Sequence, residues 1–348
     1  MLATFAEALL IKNNISKTTL KNPKIHGIGV GYYDPKHPKK GAAVVLYANA
    51  VSSTALGLGR RLSSQIKGKT VHVPIRVVKT ARIRSNASFR DRIRPVIAGY
   101  SIGTAGGSGT AGLIVSRGSQ LYIFSNNHVL TNPINSRNRA ETLQPGGADD
   151  GRSPRDRVGH LSEFIRLSTS GSNRVDAALS RPVRNSIVSP QYATIGTIPG
   201  HVTSYRVGDR FKKVGRTTGF TRGRVDSVNT DVQVDYGADV GVLTFLNQSI
   251  ILSSTPISLP GDSGSVWLRN SDNFAAAVNY AGTADGKTSV SFPVDWALSA
   301  LRVRVARPAG QRAGRVKVVD THKDNAAYTK RLTAKELSRL KVSQAKSK

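Results

Sequence analysis

The sequence predicts a mainly β protein, and two observations support this fold class. Between Pro95 and about Leu301, short apolar segments are interrupted by Gly, Pro, Asn or Asp about every 8–12 residues, which is typical of an all-β sandwich or barrel. Aromatic residues make up only 6% of the 348-residue chain, whereas Gly, Ser, Thr and Val are plentiful. This composition favours short strands and turns over long helices.

Residues 1–93 depart from this pattern and predict a small basic α+β module, which would be a pro-segment or an accessory domain. A helix is expected near the N-terminus and another over residues 53–66, although Gly57 and Gly59 weaken the second. The polar, basic residues 79–94 are expected to form a linker. Strands are predicted at three places, namely residues 25–33, 42–48 and 70–78.

The rest of the chain is predicted to form a main domain, residues 94–301, and a basic extension, residues 302–348. One clear helix is expected at residues 293–301, where the main domain ends. In the extension, a capping-box pattern that begins at Thr333 predicts a short basic helix over about residues 334–345.

The net charge of +30 is unevenly distributed along the chain. Residues 1–93 carry a net charge of +14 and residues 302–348 one of +11, whereas the segment between them carries +5. Such basic ends favour nonspecific contact with nucleic acid or another polyanion. A specific nucleic-acid reader is not predicted, because the sequence shows no zinc-finger spacing, RNP-like aromatic motif or helix-turn-helix signal.

The absence of cysteine excludes disulfides, a cysteine nucleophile and thiolate metal sites. The histidines other than His128 share no metal-ligand spacing, and Asp149 with Asp150 predicts a surface turn more than a calcium site. We therefore expect neither a metal nor a cofactor.

The N-terminal residues do not resemble a targeting signal. They include no basic segment, and Glu7 interrupts their apolar stretch, so no signal peptide is predicted. No apolar run approaches 18 residues, and no membrane span is predicted either. The expected location is the cytoplasm, with non-classical release as the alternative.

The segment Gly261-Asp262-Ser263-Gly264 contains the residue types that a serine hydrolase needs around its nucleophile. Glycine permits a tight turn with positive φ, in which backbone N–H groups can face the reacting carbonyl. Taken alone, the segment is equally compatible with an ordinary glycine turn.

Two upstream residues favour the nucleophile interpretation. His128 follows directly after an apolar strand segment, where a base could face a cleft. Asp176 lies at the start of a small apolar run, where a carboxylate would be buried and would need a partner. A histidine N–H is the natural partner for such a group.

The order His128, Asp176, Ser263, with separations of 48 and 87 residues, resembles that of the chymotrypsin-like (trypsin-fold) serine peptidases, in particular their bacterial branch. Residues 213–223 resemble the strand that opens the second barrel of these enzymes, and residues 277–282 their substrate-binding strand. The resemblance covers about residues 95–301 and implies two antiparallel six-stranded β-barrels with the catalytic triad in the cleft between them.

The resemblance also implies roles for individual residues. Ser263 would attack the scissile carbonyl, His128 would act as general base and then general acid, and Asp176 would hold the imidazole. The backbone N–H groups of Gly261 and Ser263 would form the oxyanion hole. Three further residues would pair through their main chain with an extended peptide substrate. These residues are Asn279, Tyr280 and Ala281.

Three residues depart from the family pattern. Ser265 replaces the last glycine of the usual GDSGG sequence. Ile257, at the expected base of the specificity pocket, is apolar, which argues against a preference for Lys or Arg. Pro95 would hinder cleavage after Arg94, which argues against activation through a freed N-terminus.

These observations lead to two functional hypotheses. The first is a serine endopeptidase that hydrolyses protein or peptide substrates through an acyl-enzyme intermediate. The second is a weakly active or inactive scaffold with the protease fold, which docks through residues 1–93 and 302–348 on nucleic acid or another polyanion.

Overall fold

The computed structural model describes residues 2–66, 68–80, 88–322 and 324–346. The chain divides into two compact units, an N-terminal unit of residues 1–87 and a C-terminal unit of residues 88–348. The division falls within the segment predicted as a linker, of which residues 81–87 lie outside the described residues.

The N-terminal unit combines one helix with a four-stranded sheet of order β1-β2-β4-β3, in which β2 and β4 are parallel and the other pairs antiparallel. Thr4 and Glu7 form a capping box at the start of the helix, which buries Ala8 and Ile11 on one face. The elements are α1 (Phe5–Thr19), β1 (Ile25–Tyr32), β2 (Ala42–Ala48), β3 (Arg61–Ile66) and β4 (Lys69–Lys79).

The prediction of one helix over residues 53–66 is wrong. A single 3-10 turn, Thr54–Leu56, ends at Gly57, whose φ of 75° lies in the left-handed region. The chain then continues as β3, which pairs with β4 along its whole length. The sheet pairing outweighs the weak helical pattern of this segment.

The C-terminal unit is mostly β, which confirms the predicted fold class. Its helices are α2 (Asn127–Leu130), α3 (Val294–Ala300) and α4 (Ala334–Ser338). Its strands are β5 (Val96–Ala98), β6 (Ser101–Ile102), β7 (Gly109–Thr110), β8 (Leu113–Arg117), β9 (Gln120–Ser125), β10 (Glu141–Leu143), β11 (Arg157–Ile165), β12 (Ser172–Asn173), β13 (Ala178–Pro182), β14 (Val188–Tyr192), β15 (Gly200–Val202), β16 (Arg210–Gly215), β17 (Gly219–Asp235), β18 (Val242–Leu252), β19 (Val266–Arg269), β20 (Ala275–Gly282), β21 (Thr288–Pro293), β22 (Arg304–Val305), β23 (Arg315–Lys317) and β24 (Val342–Gln344).

Most of these strands form two large sheets, while β5 pairs with β14 and β6 with β7 in two small ones. The first sheet has the strand order β10-β11-β13-β9-β8-β22, with β24 added beside β11. Among the described residues, its two ends do not pair with each other. In the second sheet, six antiparallel strands pair as a closed ring, β16-β17-β18-β21-β20-β19 and back to β16. Among the described residues, strand pairing therefore closes only one of the two expected barrels.

The strands of the ring carry one cluster of buried apolar side chains. Phe211 and Trp267 are fully buried there, together with Val225 and Ile251. A larger cluster of buried residues includes side chains from both sheets, among them Phe124, Leu179, Phe245 and Val278. This shared core packs the two sheets against each other.

The C-terminal extension belongs to the same compact unit as the sheets. β22 extends the first sheet beside β8, β23 adds to the second sheet beside β15, and β24 returns to the first sheet beside β11. The capping box of Thr333 and Glu336 is present, but α4 ends at Ser338 and not near residue 345, because the following residues pair with β11.

The helices of the described residues are too short or too polar to cross a membrane. In the same part of the chain, no group of three or more His, Asp or Glu side chains is arranged to hold a metal ion.

Candidate active site

His128 and Asp176 lie in direct contact. His128 is in the short helix α2, immediately after β9, and its side chain is 22% exposed. Its Nδ1 lies 2.5 Å from Oδ2 of Asp176, whose carboxylate is completely buried just before β13. The pairing predicted from the two sequence segments is therefore present in the structure.

The buried carboxylate of Asp176 has hydrogen-bond donors on both oxygens. Oδ1 accepts from the backbone N–H of Asn127 at 2.6 Å and from that of His128 at 3.4 Å. Oδ2 accepts from the hydroxyl of Tyr236 at 2.8 Å, in addition to facing the imidazole. These donors compensate the cost of burying the charge and fix the orientation of the carboxylate.

Tyr236 is a site residue that the sequence did not reveal. It lies at the tip of the β17–β18 hairpin, with its ring edge-on to His128 at 5.7 Å and stacked on Phe245 at 5.9 Å. Burial and the nearby Asp176 carboxylate raise the pKa of its phenol well above the usual value, so the hydroxyl remains a donor. No local motif marks this tyrosine, because its contact with Asp176 spans 60 residues.

Ser263 lies in a glycine-framed turn between β18 and β19, as predicted. Gly261 and Gly264 have φ values of 98° and 91°, which favour glycine. A side chain at Gly264 would collide with Ser125 Oγ, so this turn is packed against the end of β9, which leads into His128. The Ser263 hydroxyl donates to the carbonyl of Tyr280 at 3.3 Å.

The backbone around Ser263 leaves two donors free. Within the described part of the chain, the N–H groups of Gly261 and Ser263 have no hydrogen-bond partner. The carbonyl of Gly261 accepts from the hydroxyl of Thr110 at 2.9 Å, and that of Ser263 accepts from the Thr110 N–H at 2.8 Å. An oxygen that developed negative charge beside Ser263 could therefore be bound by these two N–H groups.

Asp262 anchors the same turn from inside the unit. Its Oδ1 accepts from the backbone N–H groups of Thr217 and Thr218, each at 3.0 Å, and its Oδ2 from that of Leu259 at 2.9 Å. Lys213 Nζ lies 3.9 Å from Oδ1, and burial lowers the pKa of this ammonium group to about 8. These partners of Asp262 all come from internal segments of the C-terminal unit.

The predicted substrate-binding residues lie on β20, beside the nucleophile turn. The pairing register of β20 with β21 shifts between Asn279 and Ala281, so Tyr280 is in a bulge at the point where its carbonyl meets Ser263. The Asn279 side chain is buried and accepts from the hydroxyls of Ser258 and Ser289 at 2.9 and 2.7 Å.

Ile257 is placed less favourably for a role in substrate binding. Its side chain is fully buried in the apolar cluster of the ring, with Trp267 and Phe211. Its backbone N–H donates to the carbonyl of Gly286 at 2.7 Å. Its role at the base of a specificity pocket stays a prediction.

The chain matches no protein-family model and no curated protein. Three solved structures that it matches are a glutamic acid specific serine protease (24% identity, TM-score 0.45), Thermobifida fusca Protease A (20%, 0.42) and Cellulomonas bogoriensis chymotrypsin (22%, 0.43). Each match covers 61% of this chain and 98–100% of the other. The resemblance to bacterial chymotrypsin-like serine proteases is thus found again among solved structures, and with TM-scores below 0.5 the function must be argued from the site itself.

Proposed function

We propose that the C-terminal unit is a serine endopeptidase with two antiparallel six-stranded β-barrels, of which the second is the closed ring and the first is built on β8, β9, β10, β11 and β13. The observations that carry this proposal are the His128–Asp176 pair, whose buried carboxylate is fully hydrogen-bonded, and the glycine-framed turn of Ser263, which packs against the end of β9 that leads into His128. Among the described residues, this turn has two backbone N–H groups without a partner, and the Ser263 hydroxyl binds the Tyr280 carbonyl. The N-terminal unit would be a pro-segment or an accessory domain.

In the first half of the reaction, Ser263 Oγ attacks the scissile carbonyl carbon while His128 Nε2 takes the hydroxyl proton. The resulting oxyanion is bound by the N–H groups of Gly261 and Ser263, which typically contribute about 3–4 kcal/mol each to the stability of the transition state. Asp176 stabilises the imidazolium. The proton then passes from His128 to the leaving amine as the peptide C–N bond breaks, which leaves an acyl-enzyme.

In the second half, water replaces the amine. His128 takes a proton from the water, the hydroxide oxygen attacks the acyl carbon, and the C–O bond to Ser263 breaks with return of the proton to Oγ. The main chain of Tyr280 and Ala281 would hold the peptide in an extended conformation during both steps. The predicted role of Asn279 in this pairing is not retained, because its backbone N–H donates to the Ser265 carbonyl and its carbonyl accepts from the Gly264 N–H, both at 2.9 Å.

The proposal is tested by incubating the full-length protein with unfolded casein. We expect wild type to degrade casein, and Ser263→Ala and His128→Ala each to lower the rate by at least about a thousandfold. Ser271→Ala, at an exposed serine in the loop after β19, is the matched control and should leave the rate unchanged. A folded wild type that does not cleave casein would contradict the proposal.

The alternative function, docking on nucleic acid or another polyanion, is favoured by one surface feature. A depression of about 780 Å³ in the C-terminal extension has no carboxylate among its lining residues, which include the arginines Arg304, Arg307, Arg312 and Arg315. Filter binding of random DNA over a salt series tests it. Affinity that falls steeply with salt, and that weakens when these arginines are replaced by Gln, would support docking. No binding at low salt would remove this alternative.

A further inference from the structure

The peptide bond between Pro260 and Gly261 is fixed by a hydrogen bond to its carbonyl group. Its carbonyl oxygen accepts a hydrogen bond from the Thr217 hydroxyl at 2.7 Å. The bond is planar and is not among the cis peptides of the chain, so its N–H points away from its carbonyl. Binding of the Pro260 carbonyl by Thr217 therefore directs the Gly261 N–H away from Thr217, where it has no partner among the described residues.

The direction of the Thr217 hydroxyl is itself determined by a neighbour. Arg216 Nη1 donates to Thr217 Oγ1 at 3.1 Å. Because this guanidinium occupies an acceptor position of the hydroxyl, the hydroxyl hydrogen is left to bind the Pro260 carbonyl. If the peptide flipped, its N–H would face an oxygen that already accepts from a cation, and its carbonyl would occupy the site of the oxyanion.

Arg216 is anchored by a buried acid. Its Nε lies 2.7 Å from Oδ2 of Asp149, and its Nη2 binds Oδ1 of the same carboxylate. Only 5% of the Asp149 side chain and 11% of the Arg216 side chain are exposed, and the Ser101 hydroxyl also donates to Asp149 at 2.6 Å. The predicted turn is present, as a 3-10 turn over Gly147–Asp149 with Asp150 exposed, but the Asp149 carboxylate faces inward and binds Arg216.

The same segment fits closely around the glycine. A Cβ on Gly261 would lie 2.5 Å from Arg216 Nη1 and 2.6 Å from Thr217 Oγ1. The Thr110 hydroxyl connects the two sides, since it donates to the Gly261 carbonyl and accepts from the Arg216 N–H, both at 2.9 Å. Both peptide carbonyls next to the oxyanion hole are thus bound by threonine hydroxyls.

We propose that Thr217, oriented by Arg216 and Asp149, is a positioning residue that keeps the Gly261 N–H directed into the oxyanion hole. This inference rests on the proposed function. Thr217 does not contact the reacting atoms; it acts through the Pro260–Gly261 peptide. The arrangement requires only residues inside the C-terminal unit.

The test uses full-length wild type, Thr217→Val, Thr217→Ser and Thr221→Val with a chromogenic peptide that wild type cleaves. Thr221→Val is the matched control, because the Thr221 hydroxyl is buried in the adjacent strand and has no hydrogen-bond partner in the described part of the chain. We expect Thr217→Val to lower kcat by about 10–100-fold, somewhat less than the loss of an oxyanion-hole donor, with KM nearly unchanged. Thr217→Ser should restore kcat, and Thr221→Val should not alter it.

A second measurement separates positioning from a merely structural role. A peptide aldehyde, whose adduct places an oxyanion in the hole, should bind Thr217→Val about 10–100-fold more weakly than it binds Thr221→Val. If Thr217→Val does not fold, Asp149→Asn replaces it, with the same direction of change expected in kcat and aldehyde affinity.

The outcomes distinguish this inference from the proposed function. If wild type cleaves peptides and Thr217→Val retains both kcat and aldehyde affinity, the positioning role is wrong while the peptidase proposal stands. If kcat and aldehyde affinity both fall in Thr217→Val but KM rises by the same factor as kcat falls, the role of the hydroxyl is also refuted. The same conclusion follows if Thr217→Ser fails to restore activity. If wild type is inactive, the proposed function itself fails.

Discussion

The two ends of the chain are both strongly basic, yet they fold in different ways. Residues 1–93 carry a net charge of +14 and residues 302–348 one of +11. The N-terminal end forms a sheet and core of its own, whereas the C-terminal end adds strands to both sheets of the C-terminal unit. Net charge therefore does not tell whether a basic segment folds as a separate module or joins another unit. The location of its hydrogen-bond partners does.

The buried contacts of the extension show how it is integrated. Thr329 is 2% exposed, and its backbone N–H donates to the carbonyl of Tyr205. The Trp296 indole N–H donates to the carbonyl of Lys330 at 3.0 Å. Without the extension, the Tyr205 carbonyl and the Trp296 indole N–H would lose these hydrogen-bond partners. The extension therefore stabilises the unit that contains the candidate site.

The strongest test of this comparison is a pair of deletions. Removing residues 315–348 should destabilise the C-terminal unit by at least about 4 kcal/mol, because β23, β24 and the contacts of Thr329 are lost together. Removing residues 1–87 should leave the thermal transition of the C-terminal unit unchanged. Thermal unfolding followed by circular dichroism measures both. Equal effects of the two deletions on this transition would contradict the conclusion that only the C-terminal end is integrated into the C-terminal unit.

A smaller effect is expected from Thr329→Val. The Thr329 hydroxyl accepts from the Tyr205 N–H at 3.2 Å and lies 2.9 Å from the Ser204 hydroxyl, and both partners are buried. Valine leaves the Tyr205 N–H without this acceptor, at a cost of about 1–3 kcal/mol in the free energy of unfolding. Thr54→Val, at an exposed threonine of the N-terminal unit, is the control and should change stability by less than about 0.5 kcal/mol. A Thr329→Val variant as stable as the control would show that the extension is only loosely attached.

The smallest effects are expected at the two capping boxes, which offer the same chemistry at both ends. Thr4 accepts from the N–H of Glu7, and Thr333 from that of Glu336. Thr4→Ala and Thr333→Ala should each cost about 1 kcal/mol. Denaturant unfolding should show the first loss only in the transition of the N-terminal unit and the second only in that of the C-terminal unit. A loss in the opposite transition would contradict the division.

The sequence predicted the features that local patterns encode. The strand at residues 42–48 has the predicted bounds, and the pairing of His128 with Asp176 followed from the need of a buried carboxylate for a donor. Neither Tyr236 nor the Thr217–Arg216–Asp149 arrangement could be predicted in this way. Their contacts join segments that are 43 to 67 residues apart, and such contacts depend on the register of the sheets and not on any local motif.

The extension illustrates the same limit. Its capping box is local and was predicted, but the end of α4 depends on the pairing of β24 with β11, whose partners are about 180 residues apart in the chain. A short basic segment with few apolar residues gives no sign of the sheet edge that it will join.

The central claim, that Ser263 is an activated nucleophile beside His128 and Asp176, is tested most directly by covalent labelling. Full-length protein is treated with a fluorophosphonate, and the adduct is counted by intact mass and located by peptide mapping. We expect one adduct per chain, on Ser263, absent from Ser263→Ala and from wild type unfolded in denaturant, and strongly reduced in His128→Ala. Folded wild type without an adduct, or with an adduct on another residue that persists in Ser263→Ala, would contradict the claim.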